Sequence, residues 1–373
     1  MSRRPLRPTR PDWFRIHRES SLKVYTPLLA LFSMLYRSAV TLRLCAYTHG
    51  FCKVRSLPGF VVSVGNLTTG GTGKTPAVIA LGKWAVQKGY RTAILSRGFG
   101  GRRQDDVLEV SDGKEIFCDA DMAGDEPFLM ARAVPGAAVV IAKKRYRAGQ
   151  YAHKKFGTQL FILDDGFQHL GLRRDLNVVL MDTVHPFGNG HLLPWGPLRE
   201  PIRELRRADA MVLTRFTQGA PGESMKAFLN RRFPSIPLFY ADHVPKQVVF
   251  PGISRIQSPE CILSKRVVAF AGIGDPGSFK YTLEKAGAHV VGFRTFRDHY
   301  PYSPGDIAAL IRMKEKRGAD YLITTEKDWV RIQRTSPVAW DLAYLTVAFS
   351  FLPESGGIFK MIKAGIERAK DDL

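Results

Sequence analysis

The sequence predicts an α/β fold: a mostly parallel sheet domain resembling those of P-loop NTPases, plus a smaller second α/β/α domain. Three observations predict it. Short runs of Val, Ile and Leu alternate with segments of helical pattern, as in βαβ units. A glycine-rich turn at 68–75 follows the first of these runs. An apolar segment at 27–44 precedes them all and predicts an N-terminal amphipathic helix.

The first predicted strand and the turn after it have the residue order of a phosphate-binding loop. The β-branched run 61–64 leads into the glycines, and Lys74, Thr75 and an apolar helical stretch follow. Glycines let backbone N–H groups converge on phosphate oxygens, and a helix N-terminus adds partial positive charge. In such loops the lysine reaches the β- and γ-phosphates, while the hydroxyl ligates Mg²⁺. We expect ATP to be bound by Thr68, Thr69, Gly70, Gly71, Thr72, Gly73, Lys74 and Thr75.

Composition limits the class of protein and its partners. With 373 residues the chain is long enough for two domains with their own cores. Its formal charge of +21 predicts an anionic partner: nucleic acid, an acidic membrane or a phosphorylated substrate. The four cysteines form no C-x-x-C pair and have no metal-ligand spacing. A reducing, cytosolic compartment and ordinary buried thiols are therefore expected.

The N-terminal segment is basic and then apolar, which leaves three interpretations. Residues 1–23 carry seven Arg and Lys against two acidic residues, and the apolar stretch follows. A secretory signal would need a small-residue cleavage site after that stretch, and none is convincing. A spanning helix needs about 20 apolar residues, but Arg37 and Arg43 interrupt this one.

The third interpretation is an amphipathic helix that lies in the membrane interface. Ser33, Arg37 and Thr41 recur at four-residue spacing and form a polar stripe, while Leu, Phe, Met and Tyr occupy the other side. A basic helix of this kind is drawn to anionic lipid. A helix that packs into the protein core is the alternative. The adjoining basic arm favours the membrane interface.

The remaining chain predicts two sheet-forming regions. Strands buried on both faces are expected at 60–65, 92–95, 138–142, 159–163, 177–181 and 209–213. Pro, Gly, Ser and Lys become frequent from about 244, and a second strand–helix alternation begins at 267. The predicted division is 1–50 for the basic arm and helix, 51–245 for the phosphate-loop domain with 345–373 as a candidate completion, 246–265 for a hinge, and 266–344 for the smaller domain.

A second predicted strand ends in two carboxylates. The apolar run 160–163 is followed directly by Asp164 and Asp165. A Walker-B strand supplies an acidic group of this kind beside the Mg²⁺ of a bound nucleotide. We expect Thr75 and Asp164 on the metal side of the site. Asp165 would share that role or hold a metal-bound water.

Eight segments along the chain occur in a characteristic order. They are G-N-L-T-T-G-G-T-G-K-T-P (65–76), S-R-G-F-G (96–100), G-D-E-P (124–127), L-D-D-G-F-Q-H (163–169), L-P-W-G-P-L-R-E-P (193–201), F-A-G-I-G-D-P (270–276), D-H-Y (298–300) and T-T-E-K-D-W-V-R (324–331). Together they resemble the tetraacyldisaccharide 4'-kinases, the lipid A 4'-kinases of Gram-negative bacteria. Thr68 departs from the glycine of the general P-loop pattern but is ordinary in this family. The Arg-rich residues 1–20 are outside the family pattern.

The resemblance implies an ATP-dependent lipid kinase of two α/β/α domains joined by a hinge. Its reaction would be phosphorylation of the 4'-hydroxyl of tetraacyldisaccharide 1-phosphate in lipid A biosynthesis. An acceptor with four acyl chains stays in the bilayer, since each buried CH₂ is worth about 0.8 kcal/mol. The enzyme would therefore be peripheral or monotopic on the cytoplasmic face of the inner membrane. The expected partners are this lipid and the anionic membrane surface, with no nucleic acid and no protein partner.

The resemblance also implies catalytic roles beyond the phosphate loop. Asp125 in G-D-E-P would be the base, although a capping role at the start of a helix is simpler from the residues alone. His299 would orient Asp125 and tune its proton affinity, and Lys74 would act on the transferred phosphate. Further contacts with substrate or phosphate are expected from Arg97, Glu126, Gln168 and Arg199.

Two of these contacts have structural alternatives. Arg199 has a bidentate fork suited to phosphate, but an ion pair with Glu200 or Glu204 would explain it as well. Gln168 lies just past the Asp pair, where packing explains it nearly as well as a role in the site.

Two other functions compete with the lipid kinase. The first is a membrane-associated P-loop NTPase that acts on a protein partner. Within that class a GTPase would need N-K-x-D, and Thr325–Asp328 has similar letters in the wrong order. The second is a nucleic-acid-binding ATPase, suggested by the charge, but no aromatic-basic module of a known kind occurs.

Overall fold

In the computed structural model of the chain, the described residues are 26–98, 101, 106–184, 186–216, 221–333, 342–352 and 356–371. The predicted basic arm at 1–20 and the last two residues of the S-R-G-F-G segment lie outside them. The helices are α1 (Thr26–Thr48), α2 (Lys74–Gln87), α3 (Ala120–Ala123), α4 (Asp125–Ala133), α5 (Arg145–Phe156), α6 (Pro221–Arg232), α7 (Pro276–Lys285), α8 (Pro304–Lys316), α9 (Glu326–Ile332) and α10 (Gly357–Asp371). Short 3₁₀ helices occupy Ile202–Arg207, Pro251–Ile253 and Pro259–Ile262.

The described strands form one mixed sheet of thirteen strands. They are β1 (Phe60–Gly65), β2 (Thr92–Ser96), β3 (Val107–Ser111), β4 (Ala138–Ala142), β5 (Leu160–Asp164), β6 (Leu176–Asp182), β7 (Ala210–Thr214), β8 (Leu238–Phe250), β9 (Arg255–Gln257), β10 (Arg266–Ala271), β11 (His289–Thr295), β12 (Tyr321–Thr325) and β13 (Leu342–Phe351). The order is β11-β10-β12-β13-β8-β7-β6-β1-β5-β2-β4-β3, with β9 beside β8. Among these pairs only β3–β4, β8–β9 and β8–β13 are antiparallel.

The centre of the sheet fixes the position of the site. Strand β1 lies between β5 and β6, parallel to both, so the loops that follow β1 and β5 leave the same edge side by side. Crevices at the carboxyl ends of parallel strands are the usual ligand sites of such sheets. The α/β prediction with a mostly parallel sheet is thereby confirmed.

The six predicted strands are present, with ends shifted by at most one residue, but three others, β3, β8 and β9, were missed. Strand β3 is an antiparallel edge strand without a continuous apolar run. Strand β8 alternates buried and partly exposed residues and contains Pro245, which lies opposite a register shift in β13. Proline is tolerated at such irregularities because a ladder hydrogen bond is already missing there.

The second half of the chain joins the same sheet. Strand β13 pairs with β12 at its start and with β8 along its length, so it links both halves. Helix α10 then returns to pack its buried isoleucines, Ile358, Ile362 and Ile366, in one cluster with Phe60 of β1. The segment predicted as a hinge, 246–265, contains the end of β8, β9 and two 3₁₀ turns. The two-domain division itself stays a prediction.

Helix α1 turns its apolar side outward. Its exposed large apolar residues are Leu28, Leu31, Phe32, Met34, Leu35 and Leu42. Ser33 of the predicted polar stripe is buried, and its hydroxyl donates to the backbone oxygen of Leu192 at 2.9 Å. Only 6% of the most apolar 18-residue stretch of the helix is buried. By length and composition alone, the helix would be able to cross a membrane. The helix therefore contacts the protein through Ser33, while Arg37 of the same stripe is exposed, and the large apolar residues named above are left largely uncovered by described residues.

The end of β1 packs directly against the loop after β5. A Cβ atom added at Gly65 would lie 2.6 Å from Cβ of Phe167 and 2.7 Å from its backbone nitrogen. Phe167 is itself buried, so it has little room to move. Glycine at this position is what allows the two loops of the site to touch.

We predict that Gly65→Ala lowers the free energy of unfolding by about 1–3 kcal/mol, because the added methyl must displace backbone. Urea denaturation measures the change. Gly305→Ala is the control, since the nearest atom to an added Cβ there is 3.7 Å away. Equal stability of the two variants would contradict the close packing at Gly65.

Candidate active site

The phosphate loop leaves the start of α2 open to a ligand. Gly73 is the N-cap residue at φ 84°, and no side chain caps the helix. The loop is braced from two sides. The amide of Thr69 donates to the carbonyl of Pro197 at 2.8 Å, and the Thr214 hydroxyl donates to the carbonyl of Thr72 at 3.3 Å. The loop is thus fixed from outside while its helix end remains without a side-chain cap.

The ammonium group of Lys74 points at the carboxylate loop after β5. Its Nζ donates to Oδ1 of Asn66 at 3.1 Å and lies 3.7 Å from Oδ1 of Asp165. Asn66 is fully buried, and its own amide donates to the carbonyl of Thr68 at 2.8 Å. Gln168 donates to the carbonyl of Asn66 at 2.9 Å. Gln168 is therefore part of the scaffold that positions the lysine.

Asp164 is a buried carboxyl at the end of β5. The Ser96 hydroxyl donates to its Oδ2 at 2.9 Å. Burial raises the pKa of Asp164 to about 7, and the nearby charges of Glu126 and Asp165 add to the effect. The site thus concentrates negative charge next to the phosphate loop.

Asp165 is held by two cations. Arg199 Nη1 donates to both carboxylate oxygens, at 2.9 and 2.8 Å, and Lys74 lies on the other side. Burial alone would raise the pKa of Asp165, but these cations outweigh it and lower the pKa below its usual value. The alternative pairing of Arg199 is wrong among the described residues, because Glu200 and Glu204 pair with Arg207.

His299 lines the cleft and meets Asp125, which comes from the opposite half of the sheet. Gly124, not Asp125, is the N-cap residue of α4. His299 Nδ1 lies 3.3 Å from Asp125 Oδ2, and Arg331 Nε donates to that same oxygen at 2.7 Å. Burial by itself would raise the pKa of Asp125, but the hydrogen bonds of His299 and Arg331 hold it well below its usual range.

The remaining expected contacts differ in how they are placed. Glu126 accepts a hydrogen bond from Lys327 at 2.7 Å. Arg97 is exposed and makes no hydrogen bond that involves the other predicted site residues among those described. All of the predicted site residues except Thr68, Thr69, Thr72 and Asp125 line one cleft with a volume of about 1100 Å³.

Helix α1 is hydrogen-bonded to this site. The Tyr36 hydroxyl donates to the carbonyl of Arg199 at 2.9 Å, and Arg43 Nη2 donates to the carbonyl of Gln168 at 2.9 Å. His169, the next residue, is kept neutral: burial and then the neighbouring arginines lower its pKa to about 4. The outward-facing apolar helix therefore borders the same cleft as the phosphate loop.

The oxygen donors near the loop suit Mg²⁺. The hydroxyl of Thr75 and the carboxylate of Asp164 are hard ligands of the type that Mg²⁺ prefers. Burial, and then the charges of Glu126 and Asp165, raise the pKa of Asp164, so a cation bound beside it would favour its charged form. Among the described residues no group of three or more His, Cys, Asp or Glu could hold a metal by itself.

Sequence reasoning missed three residues that shape the site. Arg331 lies in the quoted segment 324–331, but its spacing gave no sign that it would reach Asp125 from the far half of the chain. Ser96 and Asn66 also lie in segments named above: Ser96 comes directly before Arg97, and Asn66 lies before the glycines of the phosphate loop. Ser96 and Asn66 lie at the ends of strands, and that position was the available signal, whereas Arg331 lies in helix α9.

The parallel sheet, the open phosphate loop and the facing carboxylates define a P-loop phosphotransferase of the α/β class. A profile of the tetraacyldisaccharide-1-P 4'-kinase family matches residues 25–367. The chain belongs to this family, which confirms the resemblance drawn from its motifs.

Individual relatives agree with this assignment. The tetraacyldisaccharide 4'-kinase of Geobacter metallireducens is 45% identical over 306 residues, covering 82% of this chain and 88% of that protein. That of Syntrophus aciditrophicus is 39% identical over 353 residues, covering 91% and 93%. A crystal structure of LpxK from Aquifex aeolicus, described as in complex with ATP, has a TM-score of 0.72 at 34% identity and covers 92% of this chain and 99% of that one.

We predict that burial of Asp164 makes stability depend on pH. Its folded pKa of about 7 lies above the unfolded value of about 3.9, so the native state binds more protons between these values. The free energy of unfolding should therefore fall between pH 4 and 7, by up to about 1.4 kcal/mol per pH unit, and level off above.

Urea denaturation without divalent cations, compared with Asp164→Asn, isolates this contribution. The difference between the two proteins should follow that slope, whereas Glu315→Gln, at an exposed carboxylate of α8, should run parallel to the wild type. Parallel curves for Asp164→Asn would contradict the raised pKa.

Proposed function

We propose that this tetraacyldisaccharide 4'-kinase transfers the γ-phosphate of ATP to the 4'-hydroxyl of its lipid acceptor at the membrane surface, with Asp125 as the base. The observation that carries the proposal is the arrangement around one cleft. The phosphate loop and His299 both line it, and Nδ1 of His299 lies 3.3 Å from Oδ2 of Asp125. A donor and an acceptor held between them would be oriented for in-line transfer.

The phosphate side of the proposal rests on Lys74 and the loop amides. The ammonium of Lys74 neutralises charge on the β- and γ-phosphates, and the open N-terminus of α2 holds their oxygens. Thr75 and Asp164 would hold Mg²⁺. When bound, the cation neutralises the phosphate oxygens during transfer. Asp165, engaged by Lys74 and Arg199, orients the lysine and balances its charge before nucleotide binds.

The acceptor side of the proposal rests on the ionised state of Asp125. Its lowered pKa keeps the carboxylate charged throughout the physiological range, so it can accept the hydrogen bond of the 4'-hydroxyl. A carboxylate this acidic is a weak base in isolation. Phosphoryl transfer through a loose transition state asks for little covalent chemistry from the protein, so orienting the hydroxyl is the main task of Asp125. His299 contacts Oδ2 of Asp125 through its Nδ1 and helps to fix the orientation of the carboxylate.

The substrate contacts rest on charge and position. Arg97, Arg199 and Gln168 line the cleft. The carbonyl of Gln168 also accepts a hydrogen bond from Arg43 of α1. The acceptor bears a 1-phosphate, for which arginine is a suitable partner. Glu126, paired with Lys327, would act through this ion pair more than by direct contact.

The membrane proposal rests on α1. Its apolar face is exposed while its polar face borders the cleft, so immersion of that face in the interface would bring the active site to the lipid. Net positive charge would add attraction to anionic headgroups. Because ATP is cytosolic, we place the enzyme on the cytoplasmic face of the inner membrane.

The reaction is tested by incubating the protein with ATP, Mg²⁺ and tetraacyldisaccharide 1-phosphate in detergent micelles, followed by mass analysis of the lipid. The expected product is heavier by one phosphoryl group. ATP hydrolysis with an unchanged lipid mass would instead favour an NTPase that acts on a protein partner.

We predict that Asp125→Asn lowers kcat by about 10²–10⁴-fold, the usual range for loss of a positioned base, while ATP affinity changes little. The substitution keeps the shape and removes only the charge. Steady-state kinetics and equilibrium ATP binding give the two numbers. Weakened ATP binding with kcat retained would return Asp125 to a nucleotide-binding role.

We predict that the double variant Leu31→Gln and Leu35→Gln loses most of its binding to anionic phospholipid vesicles, because both side chains lie on the exposed face of α1. Co-flotation with vesicles measures binding. Ile256→Gln, at an equally exposed apolar residue of β9, is the control and should float as the wild type does. Unchanged flotation of the α1 variant would exclude this helix as the membrane contact.

A further inference from the structure

Arg331 of α9 contacts both members of the Asp125–His299 pair. Its Nε donates to Asp125 Oδ2 at 2.7 Å, and its Nη2 lies 3.2 Å from His299 Nδ1. The guanidinium is buried, at 7% side-chain exposure. One planar cation therefore spans the two residues, which come from opposite halves of the sheet.

The guanidinium is fixed from behind. Its Nη1 donates to Oδ1 of Asp328 and to the carbonyl of Gly272, both at 3.0 Å. Asp328 is fully buried and accepts from the Thr325 hydroxyl at 2.7 Å and from the amide of Gly272 at 3.0 Å. Every nitrogen of the guanidinium thus has a contact, and the fork has a single orientation. A group anchored in this way can impose its geometry on Asp125 and His299.

The contacts at His299 Nδ1 constrain where the proton of the imidazole lies. A guanidinium only donates, so a hydrogen bond from Arg331 requires Nδ1 without a proton. A hydrogen bond from Nδ1 to Asp125 requires the opposite. The two are exclusive, and Arg331 therefore sets the position of the proton in competition with Asp125. With Nδ1 accepting, the proton resides on Nε2, which faces Asp298 at 3.9 Å.

The other charged groups near Asp125 and His299 pair elsewhere or lie further away. Glu126 and Lys327 form an ion pair with each other at 2.7 Å. Asp298 lies 3.9 Å from Nε2 on the other side of the imidazole, and Asp328 pairs with the guanidinium of Arg331. Among the described residues, Arg331 is the one cation within hydrogen-bond distance of both Asp125 and His299.

We propose that Arg331 is a positioning residue for the kinase reaction: its guanidinium holds Asp125 and His299 in a fixed geometry relative to each other. This inference rests on the proposed role of Asp125 as base. It assigns Arg331 no contact with ATP or lipid. Its removal should therefore lower turnover and leave nucleotide binding nearly unaltered.

The test measures kcat and KM for ATP of Arg331→Met and Arg331→Lys in the micellar kinase assay. Arg331→Met should lower kcat by about 100-fold, with KM for ATP within about threefold of wild type. Arg331→Lys should recover only part of kcat, because one ammonium cannot span both residues.

Arg312→Met, the same change at an exposed arginine of α8, is the control and should match the wild type. In the Asp125→Asn background, adding Arg331→Met should cost little further, since a residue acting through Asp125 has nothing left to position. A full additional loss would overturn the proposal. So would a KM for ATP that rises as far as kcat falls.

Two outcomes separate this inference from the proposed function. If Asp125→Asn keeps its turnover, the base assignment fails and the inference fails with it. If Asp125→Asn is inactive while Arg331→Met turns over as the wild type, only the role of Arg331 is overturned. Should Arg331→Met fail to fold in a thermal scan, Arg331→Lys decides: a reduced kcat with an unchanged KM for ATP supports the proposal, and unchanged kcat overturns it.

Discussion

The active site depends on the attraction between one ammonium group and the carboxylates at the end of the neighbouring strand. Lys74 follows β1, Asp164 and Asp165 follow β5, and the parallel pairing of these strands brings them to one edge. The close contact of Gly65 with Phe167 lets the two loops touch. Arg199 pairs with Asp165 as well, and Arg331 pairs with Asp125.

Helix α1 connects an exposed apolar surface to the same site. It presents its apolar side outward, while its Tyr36 and Arg43 donate to the carbonyls of Arg199 and Gln168. The proposed membrane contact and the cleft are therefore joined by direct hydrogen bonds. A lipid kinase needs this proximity, because its acceptor remains in the bilayer while its nucleotide comes from water.

The sequence predicted what is local and left open what depends on tertiary structure. The phosphate loop, the Asp164–Asp165 turn and the buried parallel strands have periodic or motif signals of their own. Strands β3 and β8 do not, because partial exposure breaks their apolar runs. Arg331 reaches Asp125 across 206 residues of chain, and no local pattern encodes such a contact. Glu126 likewise meets Lys327 only in the folded protein, and the exposed Arg97 gains no partner among the predicted site residues described.

The most direct test of the account is equilibrium binding of ATP to Lys74→Ala, measured by calorimetry beside the wild type. If the lysine and the loop amides hold the triphosphate, the variant should bind ATP about 100-fold more weakly or not measurably, and should lose turnover of the lipid. Unchanged ATP affinity with retained turnover would contradict the account, because the strand-end site would then not be where the nucleotide binds.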